Sequence, residues 1–315
     1  MGELASLSDL AHLHLLLNHV PTVGTTVALG LLLLSFVRNN EDLRRVSLEV
    51  FFLVALFTLP AYMSGVAAEA ALESQDGVSE VAIKAHQDAA FWAFLLMQIT
   101  GLFAWLGLWQ FRRLARPASW SVGVTLLLAV LTMAVVTRAA NLGGEIRHPE
   151  LVAAGATAAV PGVAVSTING IVTNYPWVWP AGEALHFIGM SLIIGVVLTV
   201  NLRLLGVTTA VSYAAVHRLL PWGMLGFIIN FVTGMLFFIG APEQYTANVA
   251  FHYKMILLMI AGANFLYLTV FNRAYARRAD DTAPPMGKVV AISAIVSWVG
   301  VMYFGRMLPF IGNAF

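Results

Sequence analysis

Histidine is the scarce chemistry of this chain: eight imidazoles stand among 315 residues that are 59% apolar and include no cysteine. Imidazole holds metals and haem iron through a ring nitrogen, so the spacing of the histidines is informative. Two halves carry the same four markers in the same order: His19, Ser64-Gly65, His86 and Arg138, then His186, Thr233-Gly234, His252 and Arg306. From first His to Gly, Gly to second His, and that His to Arg, the separations are 46, 21 and 52 residues in one set and 48, 18 and 54 in the other. Equivalent markers are offset by 166 to 169 residues. Two imidazoles on facing helices can approach one porphyrin iron from its two sides. Glycine lets a macrocycle come close to a backbone, and guanidinium matches a propionate carboxylate. The pattern therefore points to two b-type haems, with His19, His86 and Gly65 at the first, His186, His252 and Gly234 at the second, and Arg138 and Arg306 on the propionates. Each marker also has an ordinary reading: an interfacial histidine, small-residue helix packing, an arginine snorkelling to the interface.

The run from His12 through His14 to His19 offers more imidazoles than one haem needs. On a continuous helix His14 is turned about 140° from His19, and His14 is the alternative iron ligand of the first half. His12, His14 and His148 also form a candidate zinc or copper set, which would need convergent ligands. Met63, Met190, Met235 and Met255 lie near the markers but are the usual fillers of apolar helices. No nucleophile–base pair, phosphate loop or paired catalytic carboxylate stands at a useful spacing, so no catalytic residue is assigned.

The elements that must position these groups are transmembrane helices. A mean hydropathy of +0.82 with only 10% charged residues lies far outside soluble domains. Stretches of roughly 20 residues, enough to cross ~30 Å of hydrocarbon, occur at 20–37, 47–68, 89–111, 119–140, 184–205, 219–240, 252–272 and 288–310. The loops after the first, third, fifth and seventh hold 12 of the 17 basic residues, which places them in the cytoplasm. The expected fold is all-α and polytopic, with eight transmembrane helices as two tandem parallel-repeat four-helix bundles, N-out and C-out. Its parts are an N-terminal bundle at 1–140, a periplasmic connector at 141–182 and a C-terminal bundle at 183–315. Pro21 suits the first turn of helix 1 and Pro221 the start of helix 6, whereas Pro60 should lie inside helix 2. No removable signal peptide is read at the N-terminus. Absence of cysteine excludes disulfides, iron–sulfur clusters and covalently attached haem. A net charge of +1 without a basic, aromatic-laced patch gives no support for a nucleic-acid partner.

Leu185-His-Phe-Ile-Gly189, Asn201-Leu-Arg-Leu-Leu-Gly206, Phe251-His-Tyr-Lys254 and Asn272-Arg273 make the second half resemble the CopD-like copper-resistance membrane domain and related uncharacterised bacterial four-helix families. The first half, with His14 and His19 before Pro21, Ser64-Gly65, His86 and Gly143-Gly144-Glu-Ile-Arg-His148, resembles uncharacterised four-helix membrane domains to which haem binding is ascribed. The resemblance implies copper handling or b-type haem and draws attention to His14, His19, His86, His148, His186 and Arg306. The leading expectation is a dihaem cytochrome of the bacterial inner membrane. It would bind lipid on all sides and pass electrons between quinol and a periplasmic cytochrome or copper protein. Two alternatives belong to other classes. A copper or other metal transporter would need a polar path, for which Asn230, Thr233 and Asn264 are the few candidates. A non-catalytic anchor subunit of a larger respiratory complex would need partner chains.

Overall fold

In a computed structural model the chain is described over residues 7–72, 79–114, 118–147, 164–270, 283–308 and 310–311. Every described element is a helix: α1 (Leu7–Leu17), α2 (His19–Val37), α3 (Glu41–Leu72), α4 (Glu80–Leu114), α5 (Ser119–Arg147), α6 (Ala164–Asn174), α7 (Val178–Leu205), α8 (Tyr213–Gly240), α9 (Pro242–Thr246), α10 (Val249–Val270) and α11 (Pro285–Met307). Eight segments, the first running from His12 to Val37, are long and apolar enough to cross a membrane. The protein is a multi-pass membrane protein. It divides into two compact units, Met1–Ser166 and Thr167–Phe315.

The helices run past the apolar stretches that announce them. α4 begins at Glu80, with the Ser79 hydroxyl accepting the Ala82 N–H at 3.3 Å and an ion pair from Lys84 to Glu80; an acidic first turn suits the positive end of the helix dipole. α5 continues to Arg147, so Gly143 and Gly144 are helical rather than part of a connector. The connector itself carries α6. α8 starts at Tyr213, capped by the Ser212 hydroxyl, which accepts from Ala215 N–H. Pro221 is consequently inside α8 and not at its start. Between α1 and α2, Pro21 has no N–H to give the Leu17 carbonyl, which breaks the helix there.

In the first unit α2, α3, α4 and α5 close a ring in which each packs on its two neighbours, and α1 lies along α3. α2 and α4 therefore stand diagonally. Small residues let the backbones approach: a Cβ on Gly101 would come 2.3 Å from the Ala55 Cβ. Polar side chains are satisfied across helices, as expected in lipid. Ser47 donates to Ala28 O at 2.8 Å, Gln98 to Ala55 O at 2.8 Å, and the Thr100 and Thr132 hydroxyls meet at 2.9 Å.

In the second unit α7 packs on α8 and α11, and α11 on α10. Among the described residues α8 and α10 do not lie along one another as α3 and α4 do, so the ring is open on that side. Among the described residues Phe238, Tyr245 and Phe251 bridge it at the α9 end, with ring centroids 5.3 to 6.1 Å apart. α7 ends in a left-handed cap at Gly206 (φ 85°), where the Val207 N–H reaches the Leu202 carbonyl. Just before it, the buried Arg203 donates from Nε to Val211 O at 2.6 Å and lies 3.9 Å over the Tyr213 ring.

The α7–α8 crossing makes a direct expectation. A Cβ on Gly226 would stand 2.6 Å from Gly189 O and 3.0 Å from Ile193 N, which are backbone atoms, whereas one on Gly195 meets nothing within 4 Å. Gly226→Ala should therefore cost about 1–3 kcal/mol through forced separation of the helices, and Gly195→Ala should be neutral or slightly stabilising. Thermal unfolding of the two variants in the same detergent tests the contrast.

Tyr245, outside the spanning segments, is buried, and that burial together with the negative charge of Glu183 pushes its phenol up to about 12. Its ordinary value is near 10. Below pH ~10 the phenol is protonated in both states and stability is unaffected. As pH rises from about 10 to about 12 the unfolded chain loses the proton first, so stability falls across that window. Unfolding measured against pH should show this loss, and Tyr245→Phe should flatten it.

Candidate histidine sites

The first unit brings His14, rather than His19, to the Ser64-Gly65 pair. From α1 the His14 imidazole reaches α3, with Nδ1 2.9 Å from Ala61 O and 3.3 Å from Ser64 Oγ. The Ser64 hydroxyl itself donates to Ala61 O at 2.9 Å. A carbonyl only accepts, so His14 carries its proton on Nδ1 and presents the Nε2 lone pair. Gly65 makes room for the ring: a Cβ there would be 2.8 Å from His14 Cε1 and 3.1 Å from Nδ1. His86, on α4, repeats the arrangement against α5. Its Nδ1 donates to Ala139 O at 2.9 Å, and a Cβ on Gly143 would meet its Cε1 at 3.1 Å. His14 and His86 are within electrostatic reach of one another. Each imidazole is thus pinned by a helix carbonyl, backed by a glycine and left with Nε2 as an acceptor.

Polar groups gather on the same helices. Gln87 donates to Glu69 at 2.8 Å, and Asp88 accepts from the Ala164 N–H at 3.0 Å. Tyr62, buried and stacked on Phe94 at 4.6 Å, lies within electrostatic reach of Glu69 and Asp88.

His19 is exposed, and its Nδ1 donates to Leu15 O in the turn below at 2.8 Å. His12 and Arg138 are exposed as well. His148 lies outside the described residues, and among those described no three or more of His, Asp and Glu converge as a metal cage would require. The candidate set of His12, His14 and His148 is thus represented by one exposed and one engaged imidazole.

In the second unit His186, on α7, donates from Nδ1 to the Thr233 hydroxyl at 2.8 Å. That hydroxyl gives its own proton to Ile229 O at 2.8 Å, so His186 too is left with a free Nε2. Gly234 lies beside it less tightly, with a built Cβ 3.9 Å from Cε1. Asn230 donates to the His186 carbonyl at 3.1 Å, which uses one of the few polar groups a transport path would need. His252 behaves differently. Its Nε2 donates to Thr246 O at 2.8 Å, toward α9, which fixes the opposite tautomer. The side chain within electrostatic reach of His186 is Lys254. The Lys254 Nζ stands 3.6 Å from a Cβ built on Gly305. Arg306 is exposed, 5.8 Å over the Phe310 ring.

Sequence reasoning did not single out Gly143 or Lys254, although both fall in the motifs that carry the resemblance. A signal for Lys254 was present: it follows His86 by 168 residues, the same offset as from Arg138 to Arg306 and one less than from Ser64 to Thr233.

No protein-family model matches the chain, and neither a curated protein nor a solved structure is detectably similar to it.

Proposed function

We propose that this protein is a b-type cytochrome of the bacterial inner membrane, built from two tandem parallel four-helix repeats with the histidine-bearing end on the periplasmic side. The observation that carries the reading is the shared posture of His14, His86 and His186. Each is anchored through Nδ1 to a neighbouring helix, which fixes the tautomer and leaves Nε2 for iron, as partners behind a metal-bound imidazole do. An iron porphyrin takes at most two axial ligands from protein, which suits paired histidines; a bare copper or zinc site wants more. His14 and His86 would hold a haem in the first repeat, and His186 would hold one in the second. When bound, haem supplies one-electron exchange, and two imidazoles on one iron favour electron transfer.

The chain's own residues do the rest. The Ala61 and Ala139 carbonyls hold the two imidazoles, while Gly65 and Gly143 keep the ring edges clear of side chains. Arg138 and Arg306, both exposed, would pair with the propionates. Glu69 and Asp88, both within electrostatic reach of Tyr62, would accept the protons of a membrane quinol, and a periplasmic cytochrome or copper protein would take the electrons. The cationic loops at the other end set the orientation.

Anaerobic addition of a soluble quinol to the purified oxidised protein tests this directly. The sharpened visible bands of reduced b haem should appear within seconds and to most of the dithionite amplitude. Haem reduced by dithionite but untouched by quinol would contradict the assigned electron source.

A further inference from the structure

Ser64 and Thr233 occupy the same place in the two sequence halves, each just before a glycine, yet the imidazoles use them differently. In the first unit the His14 ring sits close down on α3, where a Cβ on Gly65 would be 2.8 Å from its Cε1. From that depth Nδ1 reaches Ala61 O at 2.9 Å, with Ser64 Oγ a longer 3.3 Å away. In the second unit the His186 ring stands further off α8, its Cε1 3.9 Å from a Cβ on Gly234. There the Thr233 hydroxyl spans the gap, accepting from Nδ1 at 2.8 Å and giving its own proton to Ile229 O at 2.8 Å. Thr233 is buried, and a hydroxyl that donates onward is strengthened as an acceptor.

We propose that Thr233 is a positioning residue that orients His186 and tunes it as a ligand, a task that Ser64 does not perform for His14. The inference rests on the b-haem reading, in which His186 is an iron ligand. An imidazole whose Nδ1 proton is held by an acceptor is the more basic ligand through Nε2, and hydrogen bonding behind an axial ligand shifts a haem's potential. Without the Thr233 hydroxyl, His186 loses the acceptor that holds its Nδ1 proton. The ligand is then less basic, ferric iron is less stabilised, and the potential of that haem rises. Removing the Ser64 hydroxyl leaves the Ala61 carbonyl in place, so His14 keeps both its acceptor and its orientation.

Potentiometric titration of the purified protein, after haem counting as the pyridine haemochrome, tests it. Thr233→Val should move the potential of one haem upward and leave the other in place, at an unfolding temperature close to that of wild type. Thr233→Ser, which keeps the hydroxyl, should restore the wild-type titration, and Ser64→Ala should match wild type. Thr233→Ala repeats the test without the added methyl if the valine variant folds poorly. Loss of one haem from Thr233→Val and Thr233→Ala, with retention in Thr233→Ser, supports the same assignment, because the ring has then lost its orientation. The proposal is overturned if Thr233→Val and Thr233→Ala keep both haems at unchanged potentials, or if Thr233→Ser behaves as Thr233→Val does. It is equally overturned if Ser64→Ala moves a potential as far as Thr233→Val, or if haem is bound by the first unit alone. Those results leave haem in the protein and remove this proposal alone. A haem-free protein removes the b-haem reading with it, and the haemochrome count tells the two failures apart.

Discussion

His14→Ala should leave the purified protein with about one haem per chain instead of about two, while His19→Ala should leave the content unchanged. The two residues are five apart and look interchangeable as iron ligands, but only one is oriented. His14 crosses from α1 to α3, where Ala61 O holds Nδ1 at 2.9 Å and Gly65 admits the ring. His19 is exposed and spends its Nδ1 on Leu15 O, four residues back at the end of α1. On the proposed reading, His14→Ala deletes an iron ligand, and His19, engaged with Leu15 O, does not stand in for it. Removing His19 costs one exposed, local hydrogen bond, on the order of 1 kcal/mol or less. Haemochrome quantification on equal amounts of folded protein separates these outcomes. Equal loss in both variants, or loss only in His19→Ala, would move the first site to α2.

The second large effect concerns the glycines behind the imidazoles. In Gly65→Ala the new methyl would lie 2.8 Å from His14 Cε1 and 3.1 Å from Nδ1, inside van der Waals contact. The helix need not yield, because the obstructing atoms belong to a side chain; the ring must. Its displacement breaks the bond to Ala61 O, worth about 1 kcal/mol of stability, but it also removes Nε2 from its place. We therefore expect a nearly normal unfolding temperature together with loss of most haem from the first unit. Gly234→Ala should behave differently, since its methyl would meet His186 Cε1 at an ordinary 3.9 Å and the haem content should hold. Visible spectra and thermal unfolding of the two variants, measured side by side, decide it. If both lose haem equally, the glycines serve the macrocycle rather than the ring. If neither does, His14 is not held as described.

Much of the fold is legible in the sequence because lipid imposes a coarse rule. A stretch of about 20 apolar residues is enough to name a spanning helix, and each of the eight such stretches overlaps one of the long helices. What hydropathy misses is the polar continuation of a helix into the headgroup region, where backbone bonds persist after apolar side chains stop. α4 starts nine residues before its apolar stretch and α5 ends seven after its own. Those extensions carry His86 and Gly143, so the site lies largely where the hydropathy signal fades. α6 and α9, short helices between spans, leave no such signal.

The site is legible in outline and obscure in detail for a geometric reason. Spacing along the chain locates a residue to within a turn, but 100° per residue decides which way it faces. His14 against His19, and Lys254 against His252, are both choices of angle rather than of depth. The helix break near Pro21 makes the first choice, and the hydrogen bond from His252 to Thr246 O makes the second. Ser64 and Thr233, by contrast, were visible at once, because a hydroxyl beside a glycine recurs at the same register in both halves and receives a histidine in both.

The central claim is that the chain holds haem through these histidines. Its most direct test is the haem and copper content of protein purified from haem-replete membranes, measured on one sample by pyridine haemochrome and metal analysis. About two b haems per chain with negligible copper is the expected result. A colourless protein, or stoichiometric copper without haem, would contradict it.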